Sequence, residues 1–506
     1  MFYLLRKYIN PTCILLINCI ILFLLPGCSR QVRLPAEQQG GSKPETLVQK
    51  INYLISDPEL FNAQIGVYIE SVDRGDVLFA LNEHKVFIPA SNMKLFTTAS
   101  ALLRFGPAFR FQTGIYAGGA VRKNILEGNL IIKGSGDPSL APRFSDGDSR
   151  KFFRSWADSL KARGISKING NIVGDASYFQ AKALGYGWQW DDEPYWYSAQ
   201  ISALCFNDNC VDVTVQAGEQ IGAKPSVTLS PPTSYVSVEN NAVTTAPDSN
   251  RTLFLTRPRQ QNIISISNEI PVNKPRYTES ISVEDPAQFF VHVLKEILEE
   301  EGIEVSGEPL TVTEPSAIDY TSLTALFIHQ SPPLSEIIAA VNKPSQNLYA
   351  EQLLIKQAAE FGAAATAAEG ARVVNATLAG MGVTASEFLM HDGSGLSRMN
   401  LISPNSVAHL LRYMAKSVYA ACFMESLPVA GVDGSLRRRM KDTPAQGKIW
   451  AKTGFVGHVR NLSGYAQSAD GEMFLFSILV NNYLVPTPSI NLLQDRICVL
   501  LANFKR

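Results

Sequence analysis

A long strand-like stretch between two regions of helical character constrains the fold more than any other feature of the sequence. From about residue 110 to residue 314, short apolar and β-branched runs alternate with clusters of Gly, Pro and Asn. Runs of this kind, bounded by turn residues, predict strands. One helix is predicted among them, because Asp285 and Pro286 form a helix start before an apolar stripe that ends at Leu298. The clearest strand-like runs are 129–132, 172–173, 211–215, 227–229, 253–255 and 263–266.

The flanking regions predict helices and an antiparallel sheet. Upstream, apolar runs at 65–70 and 77–81 surround an Asp-Arg-Gly-Asp turn, which predicts a β-hairpin. A helix is predicted after Ser91, with apolar residues on one face and a stop at Gly106. Downstream, the patterns predict helices at 346–359, 364–379, 406–416 and 489–503, and strands at 448–453, 462–467 and 473–481. The last strand is almost wholly apolar, so we expect it to lie at the centre of its sheet.

Together these patterns predict one domain that is interrupted by an insertion. Residues 47–109 and 315–506 are expected to form the interrupted domain, and residues 110–314 one or two inserted β-rich domains. The formal net charge of the chain is −1, so the composition offers no basic surface for nucleic acid. Nucleic acid is therefore excluded as an expected partner.

The N-terminus predicts export from the cytoplasm. Arg6 and Lys7 precede an apolar run at 14–25 that is short for a membrane-spanning helix and typical of a secretory signal. The run ends in Leu-Pro-Gly-Cys, which resembles a bacterial lipoprotein processing site. We expect residues 1–27 to be the signal peptide, Cys28 to carry the lipid, and residues 28–46 to be a tether with few large apolar side chains. An uncleaved membrane anchor is the alternative.

Cysteine and histidine usage narrows the possible chemistry. Cys205 and Cys210 would form a small disulfide in an oxidising compartment or remain two separately buried thiols, and the sequence leaves both open. No cysteine–histidine spacing suits zinc, and neither a metal nor a cofactor is expected. The chain contains six histidines but no Gly-x-Ser-x-Gly motif, which disfavours a Ser-His-Asp hydrolase.

Three short motifs carry the candidate chemistry: Ser-Asn-Met-Lys at 91–94, Ser-Gln-Asn at 345–347 and Lys-Thr-Gly at 452–454. A serine hydroxyl becomes a good nucleophile when a neighbouring base takes its proton. At a helix start, Lys94 lies one turn after Ser91 on the same face, so its amine can be that base. A lysine acts as a base when burial or nearby positive charge lowers its pKa. Any one motif is common by chance, but the three in this order predict a serine enzyme.

The other two motifs supply candidate positioning groups. Ser345 would relay a proton to the leaving amine, and the Asn347 amide would hold the substrate backbone. Lys452 would lower the pKa of Lys94 and hold a substrate carboxylate. We expect the strand that carries Lys452 to be an edge strand that pairs with an extended peptide, for which Gly454 leaves room. The backbone N–H groups of Ser91 and Phe455 would then stabilise the oxyanion.

Further stretches carry a resemblance to a known family: 134–140, 170–175, 207–209, 392–397 and 431–436. With them, residues 47 to 504 resemble the class C low-molecular-mass penicillin-binding proteins, the type-4 family of D-alanyl-D-alanine carboxypeptidases and endopeptidases. The resemblance implies a serine β-lactamase/transpeptidase-like α/β (α+β) core with a β-rich insertion. It also implies an acyl-enzyme on Ser91 that is resolved by water, and acylation of the same serine by penicillins.

The resemblance also implies substrate contacts. Lys452 and Thr453 would hold the carboxylate of the departing D-amino acid. Asp137 would meet the free amine of a diaminopimelate-like side chain, the alternative being an aspartate that forms a turn before Pro138. Phe455 stands where a small hydroxyl residue is common in the family, and Gln346 where Asp is best known. The pocket beside Phe455 would therefore be narrower or more apolar.

The partners that the resemblance implies are peptidoglycan peptides, β-lactam antibiotics and a membrane reached through the lipid anchor, in the periplasm or cell envelope. Two alternatives to a carboxypeptidase or endopeptidase remain. A serine β-lactamase or esterase on the same core would release hydrolysed penicillin rapidly. A catalytically silent, peptidoglycan-binding lipoprotein would have no need for Ser91, Lys94 and Lys452 together.

Overall fold

The described strands form one sheet built from both flanking regions, several sheets of the predicted insertion, and one short pair at 388–389 and 401–402 in the downstream region. The structure is a computed structural model that describes residues 46–506, so the predicted signal peptide, Cys28 and nearly all of the tether lie outside the described residues. Strands β1 to β12 are Gln64–Ser71, Val77–Leu81, Gln112–Ala117, Ala120–Arg122, Ile125–Glu127, Leu130–Lys133, Lys167–Ile168, Ile172–Asp175, Cys210–Gln216, Ser226–Ser230, Ser237–Asn240 and Val243–Thr245. Strands β13 to β24 are Phe254–Thr256, Ile263–Ser267, Glu269–Pro271, Tyr277–Ser282, Glu304–Val305, Pro309–Val312, Thr324–Gln330, Phe388–Leu389, Leu401–Ile402, Ile449–Val456, Val459–Gln467 and Met473–Asn481.

Helices occur in both flanking regions and in the insertion. Helices α1 to α10 are Leu47–Ile55, Met93–Phe105, Arg150–Ala162, Pro286–Glu300, Leu334–Asn342, Asn347–Phe361, Ala367–Ala379, Pro404–Lys416, Ala420–Ser426 and Thr487–Asn503. The helices that the sequence predicted correspond to α2, α4, α6, α7, α8 and α10, and each is confirmed. Within residues 46–506, none of the helices is both long and apolar enough to cross a bilayer.

The central sheet joins the two flanking regions. Its strand order is β2-β1-β24-β23-β22, and all of its pairings are antiparallel. The predicted hairpin is confirmed as β1 and β2, and the predicted central strand as β24. Strand β22, which carries the third motif, lies at the edge of the sheet, as predicted. Because β1 pairs with β24 along its whole length, the two ends of the domain are held together despite the insertion.

The insertion contains a helix that the sequence analysis missed. Helix α3 buries Phe153, Trp156, Ala157 and Leu160, a spacing of three and four residues that is typical of an amphipathic helix. The prediction of a single helix in this stretch is therefore wrong, because the helical period of α3 was overlooked among the short strand-like runs. The Phe153 ring packs against Phe290 of α4 with ring centroids 4.9 Å apart, so the two helices share a core.

The strand at the start of the predicted insertion pairs with a strand just after its predicted end. Strand β3, at the start of the insertion, pairs antiparallel with β19 in the five-stranded sheet β18-β8-β6-β3-β19. Strand β19 lies after residue 314, where the sequence predicted the insertion to end. We propose that the insertion extends to Gln330, since β19 completes a sheet of inserted strands. The remaining sheets are β17-β7-β5-β4, β10-β9-β16, β11-β14-β13, β12-β15 and β20-β21.

Candidate active site

Ser91 and Lys94 meet at the start of α2. Ser91 lies in a 3₁₀ turn, Ala90–Asn92, that leads directly into the helix. Lys94 Nζ lies 2.8 Å from Ser91 Oγ and donates to Asn347 Oδ1 at 2.6 Å and to Ser394 O at 2.7 Å. The two acceptors engage two N–H groups, so a neutral amine would direct its lone pair at the Ser91 hydroxyl. This is the arrangement that a general base requires.

Burial favours the neutral amine of Lys94. Its side chain is fully buried, and burial lowers the pKa of Lys94 to about 7, while the charges of Asp392 and Glu351 oppose part of that shift. Lys452 was expected to lower this pKa through its charge, but burial is the dominant cause. Lys452 is itself fully buried, and burial, followed by the charge of Lys94, holds its pKa well below the usual range. A bound carboxylate would favour the charged form of Lys452.

The second and third motifs meet through Ser345 and Lys452. Lys452 Nζ donates to Ser345 Oγ at 2.8 Å and to Thr453 O at 3.0 Å. Ser345 has a φ of 68°, a left-handed conformation that non-glycine residues rarely adopt and that the surrounding packing must maintain. Ser91 and Ser345 are both partly exposed, whereas the two lysines behind them are buried. The two hydroxyls therefore have exposed surface, and each lysine amine lies within hydrogen-bond distance behind one of them.

Asn347 links Lys94 to the predicted insertion. While its Oδ1 accepts from Lys94, its Nδ2 donates to Tyr197 O at 2.7 Å. These contacts orient the amide and leave one N–H of Nδ2 for a ligand, in keeping with the predicted hold on the substrate backbone. Tyr197 was not a candidate in the sequence, because a backbone carbonyl has no sequence signature.

A buried glutamate that the sequence analysis missed holds the loop above Lys94. Glu351, one turn after Asn347 on α6, is 1% exposed and accepts from Ser394 N at 2.8 Å and from Gly393 N at 3.0 Å. The same loop presents Ser394 O to Lys94. Asp392 stabilises the loop from within, since its carboxylate accepts from Gly395 N at 2.8 Å. Glu351 is thus a positioning residue for the base, and a lone charge on the apolar face of a predicted helix was its only signal.

Gly454 serves a purpose different from the predicted one. A Cβ at this position would lie 2.6 Å from Pro89 O and 2.9 Å from Asn92 Oδ1. The missing side chain therefore allows β22 to approach the segment that carries Ser91, and this space is filled by protein rather than by a peptide ligand. This close approach fixes the third motif against the first.

The free edge of β22 offers backbone donors next to Ser91. Ala451 N donates to Pro428 O at 2.9 Å, outside the sheet. Because backbone groups alternate along a strand, Thr453 and Phe455 direct their N–H groups to the same edge. This direction agrees with the predicted oxyanion donor at Phe455. The Phe455 side chain is 55% exposed, with the Arg460 guanidinium 5.4 Å from the ring centroid, so it forms part of the rim.

The Thr453 hydroxyl also has a partner that fixes it. Ser435 Oγ lies 2.8 Å from Thr453 Oγ1. Ser435 belongs to the Gly-Val-Asp-Gly-Ser-Leu stretch at 431–436, which the sequence singled out without assigning a role. Lys343 Nζ donates to Asp433 Oδ2 at 2.5 Å and ties this stretch to the segment before Ser345. The two segments that flank Lys452 are thereby joined.

Asp137 lies apart from these contacts. Its side chain is 2% exposed, and its Oδ1 accepts from Ser139 N at 2.8 Å, which forms a turn around Pro138. Burial raises the pKa of Asp137 to about 6. A carboxyl with so little exposed surface is poorly placed to meet a substrate amine, so the geometry favours the turn-forming alternative. The burial of Asp137 results from the fold around residues 134–140. The local sequence does not reveal that burial.

The remaining candidates carry no further chemistry at this site. Cys205 and Cys210 are buried free thiols in the structure, which corresponds to the alternative without a disulfide. In the part of the chain that the structure describes, there is no group of three or more His, Cys, Asp or Glu side chains suited to a metal ion.

Two relatives resemble the chain over most of its length. The D-alanyl-D-alanine carboxypeptidase of Actinomadura sp. (strain R39) is 34% identical over 475 residues, which cover 92% of this chain and 86% of that protein. The penicillin-sensitive carboxypeptidase A of Dictyostelium discoideum is 29% identical over 483 residues and covers 88% of each chain. The residues that the chain shares with these relatives therefore extend well beyond the three motifs.

The fold class and the family resemblance are also confirmed. The crystal structure of penicillin binding protein 4 (dacB) from Haemophilus influenzae matches with a TM-score of 0.77 and 25% identity, over 90% of this chain and 99% of that one. The sequence pattern of the D-Ala-D-Ala carboxypeptidase 3 (S13) family matches residues 47–503. Nearly all of the described chain is thus accounted for, and the protein belongs to the D-Ala-D-Ala carboxypeptidase 3 (S13) family.

Proposed function

We propose that the protein is a penicillin-sensitive serine enzyme that cleaves D-alanyl-D-alanine-type bonds of peptidoglycan stem peptides, as a carboxypeptidase and a DD-endopeptidase. The observation that carries this proposal is the position of the buried Lys94 amine. It lies 2.8 Å from the Ser91 hydroxyl, while Asn347 Oδ1 and Ser394 O accept its other hydrogen bonds. Membership in the family and the names of the two relatives support the same activity.

Acylation follows from the contacts of Ser91. Lys94 takes the hydroxyl proton while Ser91 Oγ attacks the carbonyl carbon of the scissile bond, and a tetrahedral oxyanion forms. The backbone N–H groups of Ser91 and Phe455 would stabilise that oxyanion. The proton that Lys94 takes would then reach the leaving amine through the Ser345 hydroxyl, which gives up its own proton and receives that one, so that Lys94 is neutral again before water attacks. The C–N bond then breaks and leaves an ester on Ser91.

Release of the product reverses these roles. A water molecule gives a proton to Lys94 and attacks the ester carbonyl, and Ser91 Oγ leaves with a proton. The α-carboxylate of the departing D-amino acid would bind Lys452 and the Thr453 hydroxyl. The contact of Ser435 with Thr453 at 2.8 Å supports this assignment, because it holds the hydroxyl at the cleft edge. The reaction consumes one water and requires no cofactor.

Release of D-alanine tests the proposal. The purified protein should release D-alanine from a pentapeptide that ends in D-alanyl-D-alanine, and cleave a cross-linked peptide dimer, with both activities blocked by penicillin. An enzyme that turns over penicillin rapidly and leaves both peptides intact would be a β-lactamase instead. A protein that neither cleaves peptides nor forms an adduct would be the silent binding module.

The rate of acylation should depend on pH through Lys94. Because the base acts only as the neutral amine, and its pKa is about 7, the rate of penicillin acylation should rise with pH and level off above about 8. Below about pH 6 it should fall roughly tenfold for each unit. Stopped-flow measurement of acylation between pH 5 and pH 9 checks this, and a flat profile would contradict the assignment.

For localisation we propose a lipid-anchored protein of the periplasm or cell envelope. The support lies in the sequence, where a short apolar run leads to a Leu-Pro-Gly-Cys site at Cys28 and a polar tether follows. The mass of the N-terminal peptide from membrane-expressed protein tests this: a diacylated cysteine is expected, and an unmodified N-terminus would contradict it.

A further inference from the structure

A large pocket lies between the predicted insertion and helix α6, away from the catalytic contacts. Its volume is about 630 Å³, and it is lined by β3, β19 and the end of β6 on one side and by Lys356 and Glu360 of α6 on the other. These two residues come nine and thirteen positions after Asn347, which places them about 14–20 Å from it along the helix axis. The pocket is therefore separate from the cleft at Ser91, and its volume suits a ligand larger than a single ion.

One wall of the pocket is a single face of the sheet. Strand β3 pairs with β6 and with β19, so that Gly114 stands opposite Lys133 on one side and Ile328 on the other. Gln112 and Arg110, two and four residues before Gly114, line the same pocket, as the alternation of side chains along an extended chain requires. Two cations from neighbouring segments thus face one cavity.

These two cations have no acidic partner. Arg110 and Lys133 are both exposed; Arg110 Nη1 donates to Ser331 O at 2.6 Å, and Lys133 Nζ lies 4.2 Å from the centroid of the Tyr320 ring. The Tyr320 hydroxyl in turn donates to Asp175 Oδ2 at 2.6 Å. Within residues 46–506, neither Arg110 nor Lys133 makes an ion pair, so both charges are available to a ligand.

The charges on the opposite wall compensate each other. Glu360 Oε1 accepts from Lys356 Nζ at 2.7 Å. Asp137 also acts on Lys356 through its charge, but it does not line the pocket. Because Lys356 is committed to these acids, the surplus positive charge of the lining comes from Arg110 and Lys133.

A buried hydroxyl of the same pocket calls for a hydrogen-bond acceptor. Ser135, two residues after Lys133, is 8% exposed and lines the pocket. Its Oγ is buried and has no hydrogen-bond partner among the described residues. A buried hydroxyl without a partner has lost its hydrogen bonds to water, and a ligand oxygen would restore one of them. This observation does not depend on the charges, and it points to the same kind of ligand.

We propose that this pocket binds a carboxylate-bearing segment of a peptidoglycan peptide, with Arg110 and Lys133 as counter-ions and Ser135 Oγ as a further donor. A carboxylate accepts charge-assisted hydrogen bonds from guanidinium and ammonium groups. The amides of Gln112 and Gln330, which also line the pocket, can pair with peptide groups beside that carboxylate. The inference rests on the proposed function for the identity of the ligand, and it adds a second binding site for the polymer outside the catalytic cleft.

Binding of a stem tripeptide to the penicillin-acylated protein tests the proposal. The tripeptide L-alanyl-γ-D-glutamyl-L-lysine carries two carboxylates and no D-alanine, and penicillin on Ser91 keeps it out of the catalytic cleft. Isothermal titration calorimetry should show saturable binding of this tripeptide. The same tripeptide with both carboxyl groups amidated should bind at least about tenfold more weakly, because it makes no charge-assisted hydrogen bonds.

Matched variants locate the binding. The double variant Arg110→Gln/Lys133→Gln should lose at least about tenfold in affinity for the tripeptide. The control, Arg122→Gln/Lys123→Gln, removes the same two types of charge at exposed positions outside the pocket lining and should keep the wild-type affinity. Ser135→Ala should weaken binding several-fold without destabilising the free protein, because its hydroxyl has no partner there to lose. Thermal unfolding measures stability, and Lys133→Gln alone replaces the double variant if that protein does not fold.

The outcomes separate the pocket from the proposed activity. The assignment would be overturned by equal affinity for the tripeptide and its diamide, by wild-type affinity in Arg110→Gln/Lys133→Gln, or by binding of inorganic phosphate without binding of the tripeptide. If penicillin forms no adduct, the proposed function fails. The titration of the unmodified protein then still tests the pocket, because the paired variants distinguish its binding from binding elsewhere.

Discussion

Ser91→Ala should form no adduct with penicillin, and its release of D-alanine should fall below detection. Removal of a serine nucleophile typically costs about a million-fold in rate, because the remaining groups still bind the substrate but have no atom to acylate. The fold should survive, since Ser91 is partly exposed and, among residues 46–506, its side chain hydrogen-bonds only to Lys94. Intact mass after incubation with penicillin measures the adduct, and thermal unfolding measures the fold.

A matched serine provides the control for this experiment. Ser335 lies partly exposed in the first turn of α5, as Ser91 does at the start of α2. Ser335→Ala should acylate at the wild-type rate. A stable adduct on Ser91→Ala would show that another residue is the nucleophile and would overturn the mechanism proposed above.

Lys94→Ala should slow acylation by about 100-fold to 10,000-fold, the usual range for loss of a general base. The variant should also lose the rise in rate around pH 7, because the group that titrates there is gone. Some loss of stability is expected as well, since Asn347 Oδ1 and Ser394 O lose their donor. Stopped-flow acylation measures the first effect, and denaturant unfolding the second.

A second buried lysine provides the control. It separates the loss of the general base from the loss of any buried lysine. Lys356 on α6 is 6% exposed and donates to Glu360 Oε1 at 2.7 Å, nine residues after Asn347. Lys356→Ala removes a buried lysine without touching Ser91, so its acylation rate and pH profile should match those of the wild type. Were Lys94→Ala to acylate at the wild-type rate, the base would have to be assigned to another group.

Much of the architecture could be predicted because it depends on short-range patterns. The nearly unbroken apolar run at 473–481 identifies β24 as a buried strand, and the Asp285–Pro286 start identifies α4, since both signals lie within a few neighbouring residues. The spacing of the four buried side chains of α3 is an equally local signal, and the prediction of a single helix is wrong there because neighbouring strand-like runs were given more weight than that spacing.

The amino-acid sequence alone is enough to identify the family, the order of most helices and strands, and the three motifs that supply Ser91, Lys94 and Lys452. The environment that sets the properties of these residues depends on the tertiary structure. Lys94 contacts Asn347 and Ser394, which are 253 and 300 residues away along the chain, and its pKa depends on burial by that packing. Glu351 and Gly454 likewise acquire their roles from backbone groups of distant segments. Burial and long-range hydrogen bonds have no period in a sequence, which is why the nucleophile could be predicted and its environment could not.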